Sequence, residues 1–238
     1  MFGRFLEVSL NTEDISASVH FYERLGFTQL TTGDTWSHPY GVLSDGRLCI
    51  GLHQGRTAAA TLSFVRPELA QHLIALQASG FKPLSMRLSD DDFHELQFQD
   101  PTGQDIALLE ARTFSPPRRD HDASLCGWFS AYSLPASHID SVRTFWERAG
   151  FIALETPDDP WSQIALTSDT LTLAVHSPRA MAAPVLVFSD PQMAERLERL
   201  TARGVERSSE LPRGLDRSNN ALIEAPEGSL LLLLNTEN

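Results

Sequence analysis

The chain opens with "FLEVSL" (5–10), whose apolar and polar positions alternate with the period of a strand that buries one face. "NTED" breaks the pattern. "ISASVHFYERLGF" then carries Ile15, Val19, Tyr22 and Leu25 at helical spacing, with Gly26 placed to stop the helix in a left-handed cap. "YGVLSD" (40–45) and "LCIGLHQ" (48–54) read as further strands, and "TLSFV" (61–65) restarts the cycle. A second amphipathic segment over 68–79 ends at Gly80, and "HELQFQ" (94–99) and "DIALLE" (105–110) complete the series.

The whole pattern is then written again. "HFYERLGF" at 20–27 returns as "TFWERAGF" at 144–151, "LSFVRPELAQHLIALQASGF" (62–81) lies over "LVFSDPQMAERLERLTARGV" (186–205), and "FQDPTGQDIALLE" (98–110) lies over "IEAPEGSLLLLLN" (223–235). Two modules are expected, 1–112 and 125–238, with a polar linker at 113–124 that carries Pro116-Pro117. Each module holds two smaller repeats, so the expectation is an α+β chain of four β-α-β-β-β units, paired into two cups of eight strands each. The repeated octapeptide is then a packing element: the last turn of a helix, its glycine cap and the first apolar residue of the following strand.

Composition narrows the partners. In 238 residues, 19 Lys+Arg against 31 Asp+Glu give a formal charge of −12, which repels phosphate backbones and anionic membranes and argues against nucleic acid or a membrane surface as partner. The longest apolar run, "LLLLL" at 230–234, is strand-sized, and "MFGRFLEVSL" lacks the pattern of a secretory leader. Cys49 and Cys126 form neither a disulfide framework nor a metal-type spacing, so a cytoplasmic location is expected.

"LEVSLNTEDISASVHFYERLGF", the turn and strand "DPTGQDIALLE" and their counterparts in the second half resemble the vicinal oxygen chelate superfamily, which groups glyoxalase I, bleomycin-resistance proteins and extradiol dioxygenases. The resemblance implies cups that hold a ligand or a divalent metal, bound by His, Glu or Gln on the first and last strands of each unit, and Lewis-acid activation of a substrate through two adjacent oxygens. The matching positions here are Glu7, Gly51, Thr61 and Ala107 in the first module and Ala131, Ala174, Val185 and Leu232 in the second. Only Glu7 is a donor of the expected kind. No cofactor is therefore expected, with Fe, Mn, Ni or Zn as the alternative, and the function implied is a small-molecule binding protein similar to bleomycin-resistance proteins.

Alternation also says which side chains line the cups. In the first they are Glu7, Ser9, Gly51, His53, Thr61, Ser63, Glu95, Gln97, Gln99, Ala107 and Leu109, a polar set. In the second they are Ala131, Ser133, Ala174, His176, Val185, Val187, Leu222, Leu232 and Leu234, mainly apolar, with Asn220 and Glu224 as the polar members. The alternative function is an enzyme of lyase, isomerase or dioxygenase type working from the first cup. Glu7, His53 and Glu95 would be its acid/base groups or a rearranged metal site; otherwise the two carboxylates are solvated groups in an open groove, with His53 hydrogen-bonding one of them. Ser9, Trp36, Thr61, Gln97, Trp161 and His176 are candidate ligand contacts, the tryptophans because both precede a strand at corresponding loops. "SDDDFHE" (89–95) lacks the spacing of a calcium loop, and "LPRGLDRSNN" (211–220) reads as a flap at the second cup's mouth. A monomer or weak homodimer is expected.

Overall fold

A computed structural model describes residues 2–32, 38–55, 60–89, 93–111, 124–156 and 161–236. The linker except Ser124, together with Trp36 and the aspartates at 90–92, lies outside the described residues.

The first unit is β1 (Arg4–Thr12), α1 (Ile15–Leu25), β2 (Thr28–Leu30), β3 (Tyr40–Ser44) and β4 (Cys49–Gln54). The second is β5 (Ala60–Arg66), α2 (Leu69–Ala78), β6 (Ser85–Arg87), β7 (Glu95–Gln99) and β8 (Asp105–Glu110). The second module repeats the order with β9 (Trp128–Pro135), α3 (Ile139–Ala149), β10 (Ile152–Leu154), β11 (Gln163–Thr167), β12 (Thr172–His176), β13 (Val185–Asp190), α4 (Met193–Ala202), β14 (Ala221–Glu224) and β15 (Leu230–Asn235).

Each module is one mixed sheet, with orders β2-β3-β4-β1-β5-β8-β7-β6 and β10-β11-β12-β9-β13-β15-β14. The two units of a module meet where their first strands pair antiparallel, β1 with β5 and β9 with β13. The expectation of eight strands in each cup is corrected: the second sheet has seven among the described residues. The missing strand would fall between α4 and β14, where Pro212 and Gly214 punctuate a polar segment. That segment instead turns its leucines, Leu211 and Leu215, onto the apolar cluster of the second module.

The helices form where the spacing indicates. Asp14 caps α1 by accepting from the Ala17 amide at 3.0 Å, and Gly26 and Gly150 close α1 and α3 at φ 95° and 103°. One contiguous apolar core spans both modules, from Val8, Ile50 and Leu62 to Leu134, Leu173 and Leu186. Its centre is aromatic, with Phe2 packed on Phe64, Phe81, Phe98, Phe145 and Trp146.

Two related contacts lock the modules together. The Trp146 indole of α3 donates to Asp100 at 3.0 Å, and the Tyr22 hydroxyl of α1 donates to Glu227 at 2.6 Å. Tyr22 and Trp146 are the same position of the repeated octapeptide, and each reaches a carboxylate on the terminal turn of the other module. Helix faces are thus consumed in the shared core, and both concave sheet faces point away from it.

Candidate functional site

On the first concave face, register sets the neighbours. Glu7 lies opposite Ser63 of β5, Ser9 lies between Thr61 of β5 and Gly51 of β4, and Asn11 pairs with His53. On the next strand Tyr40 stands opposite His53 and Val42 opposite Gly51. The core faces of these strands, Val8, Leu10, Ile50, Leu52, Leu62 and Phe64, are buried against the helices, so alternation delivers Glu7, Ser9, Gly51, His53, Thr61 and Ser63 to the cup.

Glu7 is the hub. Its Oε1 accepts from the Ser9 hydroxyl at 2.8 Å, its Oε2 accepts from the Tyr40 hydroxyl at 2.7 Å, and His53 Nε2 lies 3.4 Å from Oε1. Ser9 is joined to Ser63 at 2.8 Å, and His53 Nδ1 lies 2.9 Å from His38 Nε2. The carboxylate reaches this position because Gly51 leaves room. A Cβ on Gly51 would come within 2.7 Å of both carboxylate oxygens. The solvated-groove alternative is corrected as to solvation, since Glu7 and Glu95 are each 2% exposed and His53 is fully buried, while its contact between His53 and one carboxylate is present. Burial, then the charge of Glu7, holds the Tyr40 hydroxyl far above the usual phenol range, so it remains a donor.

Glu95 belongs to a different cluster. It is ion-paired with Arg87 of the edge strand β6 and accepts from the Gln97 amide at 3.1 Å. Its strand position faces Leu109, at the end of the cup where Leu6, Val65, Ala107 and Leu109 form an apolar patch. Glu7 and His53 are brought together, while Glu95 and Gln97 pair with each other. Thr61 lines the cup beside Ser9 without a side-chain bond to Glu7. Tyr40 and His38 had no place among the candidates from sequence. Alternation along β3 carries a signal for Tyr40; none marks His38, which precedes the strand.

The second concave face has been filled by its own chain. Met181, Val185, Leu222 and Leu232 are buried there, with Trp161, Leu211, Leu215 and Leu234 packed on them. His176, at the position that corresponds to His53, is fully buried, lies 2.9 Å from the Ser133 hydroxyl through Nδ1, and donates through Nε2 to the Met181 carbonyl at 3.2 Å. Burial lowers its pKa below the ordinary imidazole value. The Trp161 ring lies 6.2 Å from His176, and its indole N–H is buried with no acceptor among the described residues. Asn220 bonds to the Asp216 carbonyl and the Asn235 amide, and Glu224 is exposed.

Of the eight expected positions only Glu7 offers an anionic donor, and that carboxylate already accepts from Ser9 and Tyr40. Among the described residues no group of three His, Cys, Asp or Glu side chains is arranged to hold a metal ion. Cys49 and Cys126 are unpaired and buried; burial pushes the Cys49 thiol up to about 11 and the Cys126 thiol higher still, which keeps both protonated and poorly nucleophilic.

The chain has the vicinal oxygen chelate fold. An extradiol ring-cleaving dioxygenase from B. fuscum superposes with a TM-score of 0.64 at 17% identity, over 99% of this chain and 72% of the dioxygenase. A variant of homoprotocatechuate 2,3-dioxygenase from the same organism, solved in complex with HPCA, matches at 0.64 and 16%, over 99% of this chain and 71% of the variant. A catechol 2,3-dioxygenase matches at 0.61 and 11%, over 96% of this chain and 91% of the enzyme. No family model matches the sequence. No curated protein is similar to it in sequence at a significant level. Among the described residues no helix is long and apolar enough to cross a membrane.

Proposed function

We propose that this protein binds a small molecule in the cup of its first module without the metal that the fold elsewhere employs. One observation carries the reading: the single donor left at the expected positions, Glu7, is tied to Ser9 and Tyr40 and covers Gly51, where a second carboxylate would stand. The second cup, filled by Met181, Trp161, Leu211 and Leu215, supports the first as the one that takes the ligand. The chain pairs its modules internally around one core, which supports a monomer or weak homodimer. Two unpaired buried cysteines support a reducing, cytoplasmic setting.

The Glu7–His53 contact favours a second reading, an enzyme of dioxygenase, lyase or isomerase type acting from this cup; the extradiol dioxygenases are of like fold. Metal analysis by inductively coupled plasma mass spectrometry separates the two. Tag-free protein incubated with Fe, Mn, Ni or Zn and then desalted should retain far less than one equivalent, and Glu7→Ala should not change that value. About one equivalent per chain, lost in Glu7→Ala, would sink the metal-free reading. A thermal-shift panel of small aromatic and hydroxylated compounds should give stabilisation that Glu7→Ala weakens.

A further inference from the structure

We propose that the seam between the two modules holds a second binding site, separate from the first cup, which takes a primary ammonium group carried on one small aromatic ring. It lies on the side of β1 that packs Leu10 into the shared core, opposite the face that presents Glu7 and Ser9.

Where the end of β1 meets the start of β13 and the turn before β15, a recess of 150 Å³ opens, a size at which an apolar cavity accepts a benzene ring. Leu10, Ala60, Tyr132, Ala183, Pro184 and Val185 form its apolar wall. The Tyr132 hydroxyl is already donated to Gln104 at 3.1 Å. Glu227 is the one charged residue on the lining, and it also lines an adjoining pocket of 520 Å³ with Asn11, Thr12, Glu13 and Asp14. No Lys, Arg or His lines either pocket. Sites between domains, apolar with a few placed polar groups, are the usual form of a small-molecule pocket.

The Glu227 carboxylate is held by two neutral donors, the Tyr22 hydroxyl at 2.6 Å on Oε1 and the Ser18 hydroxyl at 2.7 Å on Oε2. It enters no ion pair among the described residues. A carboxylate offers about four lone-pair sites, so roughly two stay open to further N–H donors. The turn itself does not need this side chain. In the first module Thr102 stands at the same place of the same turn, with Gly103 and Gly228 both at positive φ, and its hydroxyl bonds back to Asp100. The second module thus adds a carboxylate to an apolar recess beyond what the shared plan requires. An ammonium donates three hydrogens and accepts none, which suits Glu227, while the ring it is carried on takes the apolar wall. A chain of charge −12 draws such a cation in and repels an anion of the same shape.

Benzylamine is the probe, with binding to the full chain followed by isothermal titration calorimetry and ligand-observed NMR. It should bind saturably and at least tenfold more tightly than benzyl alcohol or benzoate, which keep the ring and change the charge. Glu227→Gln should cut its affinity at least tenfold. Ala183→Phe, which fills the recess and leaves Glu227 in place, should do the same; thermal melts check that both variants fold. If Glu227→Gln does not fold, Ala183→Phe and the comparison of the three ligands decide. No binding, equal affinity for benzyl alcohol, or full affinity retained in Ala183→Phe would each overturn the site. Glu7→Ala should leave benzylamine binding unchanged. Loss there would move the amine to the first cup and sink the seam site, whereas a failure of benzylamine to bind leaves the reading of the first cup standing.

Discussion

Gly51 offers a sharp test of how the first cup is built, because its lack of a side chain is what admits the Glu7 carboxylate. In Gly51→Ala the new Cβ would fall within 2.7 Å of both carboxylate oxygens. Gly51 is not among the residues with positive φ, so its backbone accepts alanine and the clash with Glu7 is the whole difficulty. Overpacking of this kind costs about 1–3 kcal/mol. If Glu7 swings away instead, Ser9, Tyr40 and His53 lose their acceptor, with a penalty of ~1–3 kcal/mol for stranded buried donors. A loss of about 2 kcal/mol is expected by either route. In a Glu7→Ala background the same substitution meets no carboxylate and should be neutral or stabilising by ~0.5–1 kcal/mol, the usual advantage of alanine over glycine within a strand. The coupling between the two positions should therefore reach about 3 kcal/mol in a double-mutant cycle. Urea unfolding followed by tryptophan fluorescence reads all four proteins, and the shared core should give one transition. Equal losses from Gly51→Ala in both backgrounds would refute the placement of Glu7 over Gly51.

Trp146→Phe keeps the aromatic core but removes the indole that donates to the buried Asp100, so a loss of ~1–3 kcal/mol in urea unfolding is expected; an unchanged midpoint would show the contact is idle. His176 has a folded pKa held below its unfolded value of about 6.5, so the unfolded chain binds the proton first and stability falls as pH drops below that value, by up to ~1.4 kcal/mol per pH unit, until the folded pKa is reached. His176→Gln should flatten that slope in thermal melts between neutral and mildly acidic pH, and an unaltered slope would count against the assignment. Glu68 precedes α2 in the left-handed region at φ 54° and makes no side-chain cap bond, so Glu68→Gly should raise stability by ~1 kcal/mol. A lower melting temperature would mean that its side chain contributes more than its backbone costs.

Much of the fold was legible because it is written in local periods. "FLEVSL" alternates over β1 and the octapeptide carries both the helical stripe and the glycine cap. The repeat at 144–151 then predicts α3 and Gly150 without further argument. The seven-strand outcome was not legible. The segment after α4 has a counterpart in β6, and only its packing onto the second cup decides that it forms no strand. Within the first site, alternation identified Glu7, Ser9, His53 and Ser63 as neighbours on one face. It grouped Glu95 with them because parity is blind to distance along and across a sheet, and Glu95 is instead committed to Arg87 and Gln97.

By itself, then, the sequence determined the order of elements, the duplicated plan and the face on which each strand residue lies. These are properties of spacing within a few residues, which strand and helix geometry dictate. The tertiary structure alone decided that Glu7 fills the gap left by Gly51, that Tyr40 and His38 complete its network, and that the second cup is closed by Met181, Leu211 and Leu215. Each of these joins residues far apart in the chain through close packing and register. Whether one side chain occupies another's space is settled by the assembled fold, because no local period encodes it.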